Sequence, residues 1–91
     1  MKAIASIKVD FIAGTSVKDC VTEMIALAGR VGARIECGIN GVEVWAEDGD
    51  DPEDIGAAYQ HEMMKGEGYR IASAYEGREL RATRKYRKRR P

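Results

Sequence analysis

Ninety-one residues, 44% apolar and 33% charged, describe one globular domain near the lower size limit for folding without staples, so a homodimer is an open outcome. No run approaches the ~18 apolar residues of a membrane span. The formal net charge of +0 conceals two opposed parts, because residues 1–77 hold seven Lys or Arg against fourteen Asp or Glu, whereas residues 78–91 hold eight Lys or Arg against Glu79 alone. The division predicts a compact acidic domain over 1–77 and a basic C-terminal arm over 78–91 for an anionic partner or for its own acidic body.

Residues 3–11 alternate, with Ala3, Ala5, Ile7, Val9 and Phe11 on one face and Ile4, Ser6, Lys8 and Asp10 on the other, which predicts a half-buried strand. Lys8 and Asp10 also interrupt the apolar start before a signal-peptide core can form, so a cytoplasmic protein is expected. Gly14 breaks the strand. Ser16, with Asp19 three residues on, matches a capping box, and Thr15 is the alternative cap. From there Val17, Cys20, Val21, Met24, Ile25 and Ala28 recur at helical spacing to about Arg30, with Gly29 and Gly32 as candidate stops.

Asn40-Gly41 between two alternating runs is the preferred pair for a two-residue type I′ hairpin turn, where both residues need positive φ. Closing it on Ile39 and Val42 pairs Cys37 with Val44 and Ile35 with Ala46 on an apolar face, and Glu36 with Trp45 and Arg34 with Glu47 on the other. Six acids in eight residues follow, Glu47 to Asp54, without the Gly and Glu spacing of an EF-hand loop. They read as the start of a helix, with Asp51 as cap, Pro52 at the first position and Glu53 and Asp54 offsetting the positive end of the helix dipole. This helix is expected to bury Ile55, Ala58, Tyr59 and Met63, stop at Gly66 and leave His61 in solvent. Residues 69–74 read as a fourth strand. Beyond it, residues from Arg78 on form a hairpin strand, a helix or a disordered arm, and the pattern does not choose.

The expected architecture is an α+β two-layer sandwich, β-α-β-β-α with a last β, carrying both helices on one face of a mostly antiparallel sheet. A right-handed crossover would place strand three between strands one and two, and strand four on the free edge of strand one, the ferredoxin-like order 4-1-3-2. The outer sheet face would then present Ser6, Lys8, Asp10, Arg34, Glu36, Glu43 and Trp45. Cys20 and Cys37 fall on core positions as reduced thiols, and with one histidine and no CxxC spacing the chain has no zinc constellation; no cofactor or metal is expected.

Several stretches resemble a group of small phage and prophage proteins of unknown function. They are Phe11-Ile12-Ala13-Gly14-Thr15-Ser16-Val17-Lys18-Asp19-Cys20, Asn40-Gly41-Val42 through Gly49-Asp50-Asp51-Pro52 into the second helix, and Tyr69-Arg70-Ile71-Ala72. The likeness spans most of residues 1–74 and rests on turn and cap signals. It implies an accessory setting, in a bacterial host, with no catalytic residue or ligand to carry over; the arm after Gly77 is not part of it.

Two functions from different classes suit this surface. A protein-binding module, including an inhibitor of a defence or regulatory factor, would present Trp45 and the acidic residues Glu47, Asp48, Asp50 and Asp51, since acidic surfaces imitate nucleic acid toward a basic groove and Trp is a common anchor. The alternative is a nucleic-acid-binding accessory protein. It would use Arg78, Arg81, Arg84, Lys85, Arg87, Lys88, Arg89 and Arg90 for phosphates and Tyr86 for stacking. Against an enzyme stands the lack of a phosphate-cradling glycine loop after a strand and of a nucleophile–base pair in the pattern.

Overall fold

The computed structural model describes residues 5–12, 14–65, 68 and 70–89, of which 84–89 are described as backbone. In chain order the elements are β1 (Ser6–Lys8), α1 (Val17–Val31), β2 (Arg34–Ile39), β3 (Val42–Ala46), α2 (Pro52–Lys65), β4 (Ile71–Ala72) and α3 (Ala74–Arg89). Local chemistry accounts for most boundaries. Ser16 caps α1 by accepting a hydrogen bond from the Asp19 backbone N–H at 3.1 Å, and Gly32, at φ 69°, ends it in the left-handed conformation. Asp51 caps α2 through the Glu53 N–H at 2.9 Å.

The hairpin takes the register expected of Asn40-Gly41, with Ile39 opposite Val42, Cys37 opposite Val44, Glu36 opposite Trp45 and Ile35 opposite Ala46. Both turn residues have positive φ, 51° and 81°. Gly41→Val therefore forces a β-branched residue into a region it avoids, and its Cβ would stand 2.8 Å from Arg70 Nη2. A loss of about 1–2 kcal/mol is expected in urea denaturation. A change below about 0.5 kcal/mol would show that the turn does not need positive φ.

The sheet itself corrects the sequence expectation. Its order is β1-β2-β3-β4, not 4-1-3-2, and two of its three pairings, β1 with β2 and β3 with β4, are parallel. The ferredoxin-like, mostly antiparallel arrangement is overturned for a simple reason: the hairpin fixes β3 beside β2 but leaves the other flank of β2 open. That flank is taken by β1, with Ser6, Ile7 and Lys8 opposite Arg34, Ile35 and Glu36. No strand lies between β1 and β2, and the free edge of β3 receives β4 through Glu43–Ile71 and Val44–Ala72. The first strand is also shorter than residues 3–11; Ala3 and Ile4 lie outside the described residues, while Val9 and Phe11 pack on the core from the connection to α1.

One face of the sheet makes the core. Ile35, Cys37, Val42, Val44, Ala46 and Ala72 meet Val21, Met24 and Ala28 of α1 and Ile55, Ala58 and Tyr59 of α2 in a single cluster. Each large side chain wholly buried here, such as Met24, Ile35 or Ile55, contributes about 1.5–3 kcal/mol. Both helices thus cover the same face, while strand direction reverses between β2 and β3 and the strand order advances one way. Two β-α-β units arranged so must have opposite hands, and one of them takes the rare left-handed sense. Along α2 the buried run is Ile55, Ala58, Tyr59 and Glu62; Met63, expected in it, is 38% exposed. The 3.6-residue period carries the stripe to position 62, and Met63 turns one step past it. Gly66, the expected stop, lies outside the described residues.

The last helix runs without a break from Ala74 to Arg89 and packs against α2 rather than on the sheet. Ser73 precedes it, its hydroxyl 3.5 Å from the Glu76 N–H. At the crossing Gly77 lies directly on the backbone of Asp54.

Candidate functional site

Three surfaces carry the residues that the sequence singles out. The first is the outer sheet face, which alternation fills with Ser6, Lys8, Arg34, Glu36, Glu43 and Trp45. Its charges are paired within the sheet: Arg34 Nη2 lies 2.9 Å from Glu36 Oε2, Arg34 Nε donates to Ser6 Oγ at 2.9 Å, and Lys8 Nζ stands 3.6 Å from Glu43. The Ser6 hydroxyl donates to Glu36, and this bond, with Arg34 beside it, holds the Glu36 carboxyl below its ordinary pKa although burial opposes the shift. Trp45 is half-buried, with the Arg34 guanidinium 3.9 Å from its ring centroid. That stacking covers the indole with a cation already tied to a carboxylate.

The second surface is the acidic segment. Asp50 Oδ2 accepts from the Glu47 N–H at 2.8 Å and so closes a turn, and Asp51 caps α2. Glu47 and Asp48 are exposed. The guanidinium of Arg81, from α3, reaches Asp54 Oδ1 at 2.7 Å, Glu53 Oε2 at 3.2 Å and Asp51 Oδ2 at 3.4 Å. These carboxylates, Asp54 above all, raise the Arg81 pKa. The residues expected to form one protein-binding set are thus divided: Trp45 sits in the sheet face under Arg34, and Asp50 and Asp51 serve a turn and a helix cap.

The third surface is α3. Ala74, Gly77, Leu80 and Arg81 form the side turned to the body, with Ala74 only 3% exposed and Leu80 and Arg81 half-buried. Gly77 and Arg81 both engage the first turn of α2, and α3 continues from there through Arg84, Lys85, Tyr86, Arg87, Lys88 and Arg89 as helical backbone. Arg90 lies outside the described residues.

Comparison with known proteins gives no match: no family model, no curated protein and no solved structure aligns with the chain. No helix among the described residues is long and apolar enough to cross a membrane. Cys20 and Cys37 are free and buried, and burial raises both thiol pKa values, away from the thiolate form that reactivity or metal binding needs. Among the described residues no group of three or more His, Cys, Asp or Glu is placed to hold a metal ion.

Two residues escaped the sequence reading. Glu62 and Glu76 bring their carboxyl groups together between α2 and α3, Glu62 only 2% exposed. Signals for both exist in the chain. Position 62 continues the stripe of Ile55, Ala58 and Tyr59, so an acid there is marked for burial, and Ser73 with Glu76 three residues later has the spacing of a capping box at the start of α3.

Proposed function

We propose that this chain is a small accessory protein that binds nucleic acid through α3, without chemistry of its own. The observation that carries the reading is the continuity of that helix from Ala74 to Arg89. Its first half is seated on α2, and its backbone continues as helix through Arg84, Lys85, Arg87, Lys88 and Arg89. A preformed basic helix lowers the ordering entropy of meeting a phosphate backbone. The carboxylates of Asp51, Glu53 and Asp54, at the start of α2, are already occupied by Arg81. They therefore oppose the remaining basic residues less than the acidity of residues 1–77 would suggest. Tyr86 adds an aromatic ring for stacking on an unpaired base.

Protein capture through Trp45 and the 47–54 segment is the weaker reading, because Arg34 covers the Trp45 ring and Asp50, Asp51, Glu53 and Asp54 bond within the chain, so that exposed Glu47 and Asp48 are what remains. The accessory setting implied by the phage-protein resemblance fits either partner.

Fluorescence anisotropy with labelled single-stranded and duplex oligonucleotides tests the reading. With four or five phosphates neutralised, affinity is expected to fall by roughly 10²–10³-fold between about 50 and 200 mM salt. A chain ending at Thr83, which keeps Leu80 and Arg81, should lose binding at every salt concentration. Binding that survives this truncation, or that ignores salt, would refute the assignment.

A further inference from the structure

The seam between α2 and α3 is built from small and apolar groups, with Ala58 and Ala74 buried and Gly77 in backbone contact with Asp54. Into it each helix sends one carboxyl. Glu62 comes from α2 and is 2% exposed; Glu76 comes from the first turn of α3 and is half-buried. Each carboxyl is the acidic neighbour of the other across the seam, close enough for a hydrogen bond between them if one is protonated. A carboxylate has no donor, so such a bond exists only while one of the pair keeps its proton. Among the described residues Glu62 Oε2 and Glu76 Oε1 are buried and neither has a hydrogen-bond partner. Lys65 Nζ lies 3.0 Å from Glu62 Oε2 as an ion pair without hydrogen-bond geometry.

Position 76 makes the arrangement notable. In a capping box the acid at this place folds back onto the start of its own helix. Here the Ser73 half of the motif is present, while the Glu76 carboxyl turns across the seam to another acid.

We propose that a single proton shared by Glu62 and Glu76 latches α3 onto α2, and that its loss loosens the seat of α3.

The direction follows from the environment of each group. Burial, then the hydrogen bond to and the charge of Glu62, push Glu76 up to about 7, with Lys65 opposing. Burial would raise Glu62 too, but the hydrogen bond from Glu76 and the Lys65 ammonium outweigh it and hold Glu62 below its ordinary value. His61, exposed on α2, acts in the same sense when charged. Of the other elements packed on α2, β4 carries no charged residue and β3 only Glu43, paired with Lys8 on the outer sheet face, while the charges of α1 and the other charges of α3 act on neither carboxyl among the described residues. Glu76 has a raised pKa, so its stabilisation is complete below its ordinary value of 4.5 and disappears as pH rises through about 7. Glu62 has a lowered one, and its contribution disappears only as pH falls below 4.5. The latch is therefore firmest in the mildly acidic range between these limits and is released on the alkaline side of neutrality. It does not depend on what α3 binds.

Thermal unfolding of the full chain, together with amide hydrogen exchange in α3 corrected for its intrinsic pH dependence, tests the proposal at about pH 5.5 and 8.5. In the native chain the melting midpoint should fall by at least about 4 °C from the lower to the higher pH, and protection in α3 should drop more than protection in α1. Glu76→Gln supplies an amide that donates to Glu62 and cannot ionise. It should remove most of both changes and be at least as stable as the native chain at the higher pH. An unchanged midpoint in the native chain, or the same pH slope in Glu76→Gln, would overturn the latch. Should the variant fail to fold, carboxyl carbon NMR of the native chain decides: a Glu76 midpoint near 7 supports the proposal, and one near 4.5 refutes it.

Discussion

Gly77→Val is expected to be the most damaging single substitution in the molecule. A Cβ at this position would overlap the carbonyl of Asp54 and stand 2.7 Å from its Cα, so the obstacle is backbone in the first turn of α2 and no rotamer change relieves it. Either α3 lifts away, exposing Ala74 and the Glu62–Glu76 pair, or α2 is displaced from the core through Ile55 and Ala58. Both routes lead to a loss of roughly 3 kcal/mol or more, with Gly77→Ala nearly as severe. Gly56→Ala is the control. It lies inside α2 with nothing within 4 Å of its Cβ, and should raise stability by up to about 1 kcal/mol through helix propensity. Urea denaturation of the three variants measures the contrast; equal effects at 56 and 77 would mean that α3 does not sit on α2.

Arg81→Ala is expected to lower the melting midpoint by about 5 °C or more. Asp54 is 6% exposed and its closest cation is Arg81, so the truncation leaves a buried carboxylate without its partner. The exposed contacts to Asp51 and Glu53 add little, because solvent screens them. Arg81→Lys keeps a charge but loses the fork that spans three carboxylates, and should fall between the two. Ending the chain after Gly77 removes Leu80 and Arg81 together and should be at least as harmful as the alanine. Ending it after Thr83 should change the midpoint little, since it spares both.

What was readable in the sequence is what local chemistry decides. Asn40-Gly41 dictates a turn whatever surrounds it, and the register of β2 on β3 follows because a slip by one residue would put Ile35, Cys37 and Val44 into water. The Ser16 cap and the Asp51-Pro52 start of α2 belong to the same class. Strand order does not. β1 has three residues and β4 two, too little pattern to say which edge each would take, and the handedness rule chose the commoner arrangement over the one that forms. The start of α3 was hidden by its composition: the face it presents to α2 is made of Ala74, Gly77, Leu80 and Arg81, only one of them a large apolar residue. The change of charge at residue 78 falls inside this helix. For the candidate site, the basic content of residues 84–90 was plain, whereas the engagement of Arg81 by the acidic segment depends on α3 crossing the first turn of α2, which no local pattern encodes.

The opposed hands of the two β-α-β units bear on how such a chain arose. β1-α1-β2 and β3-α2-β4 have the same order of elements and share one sheet, which invites the idea of an ancestral half copied in tandem. Rotation cannot superimpose units of opposite hand. A duplicated segment keeps its hand, so the matching order is coincidence of topology rather than kinship between halves. Search for the ancestry of this fold should therefore treat residues 5–72 as one indivisible pattern.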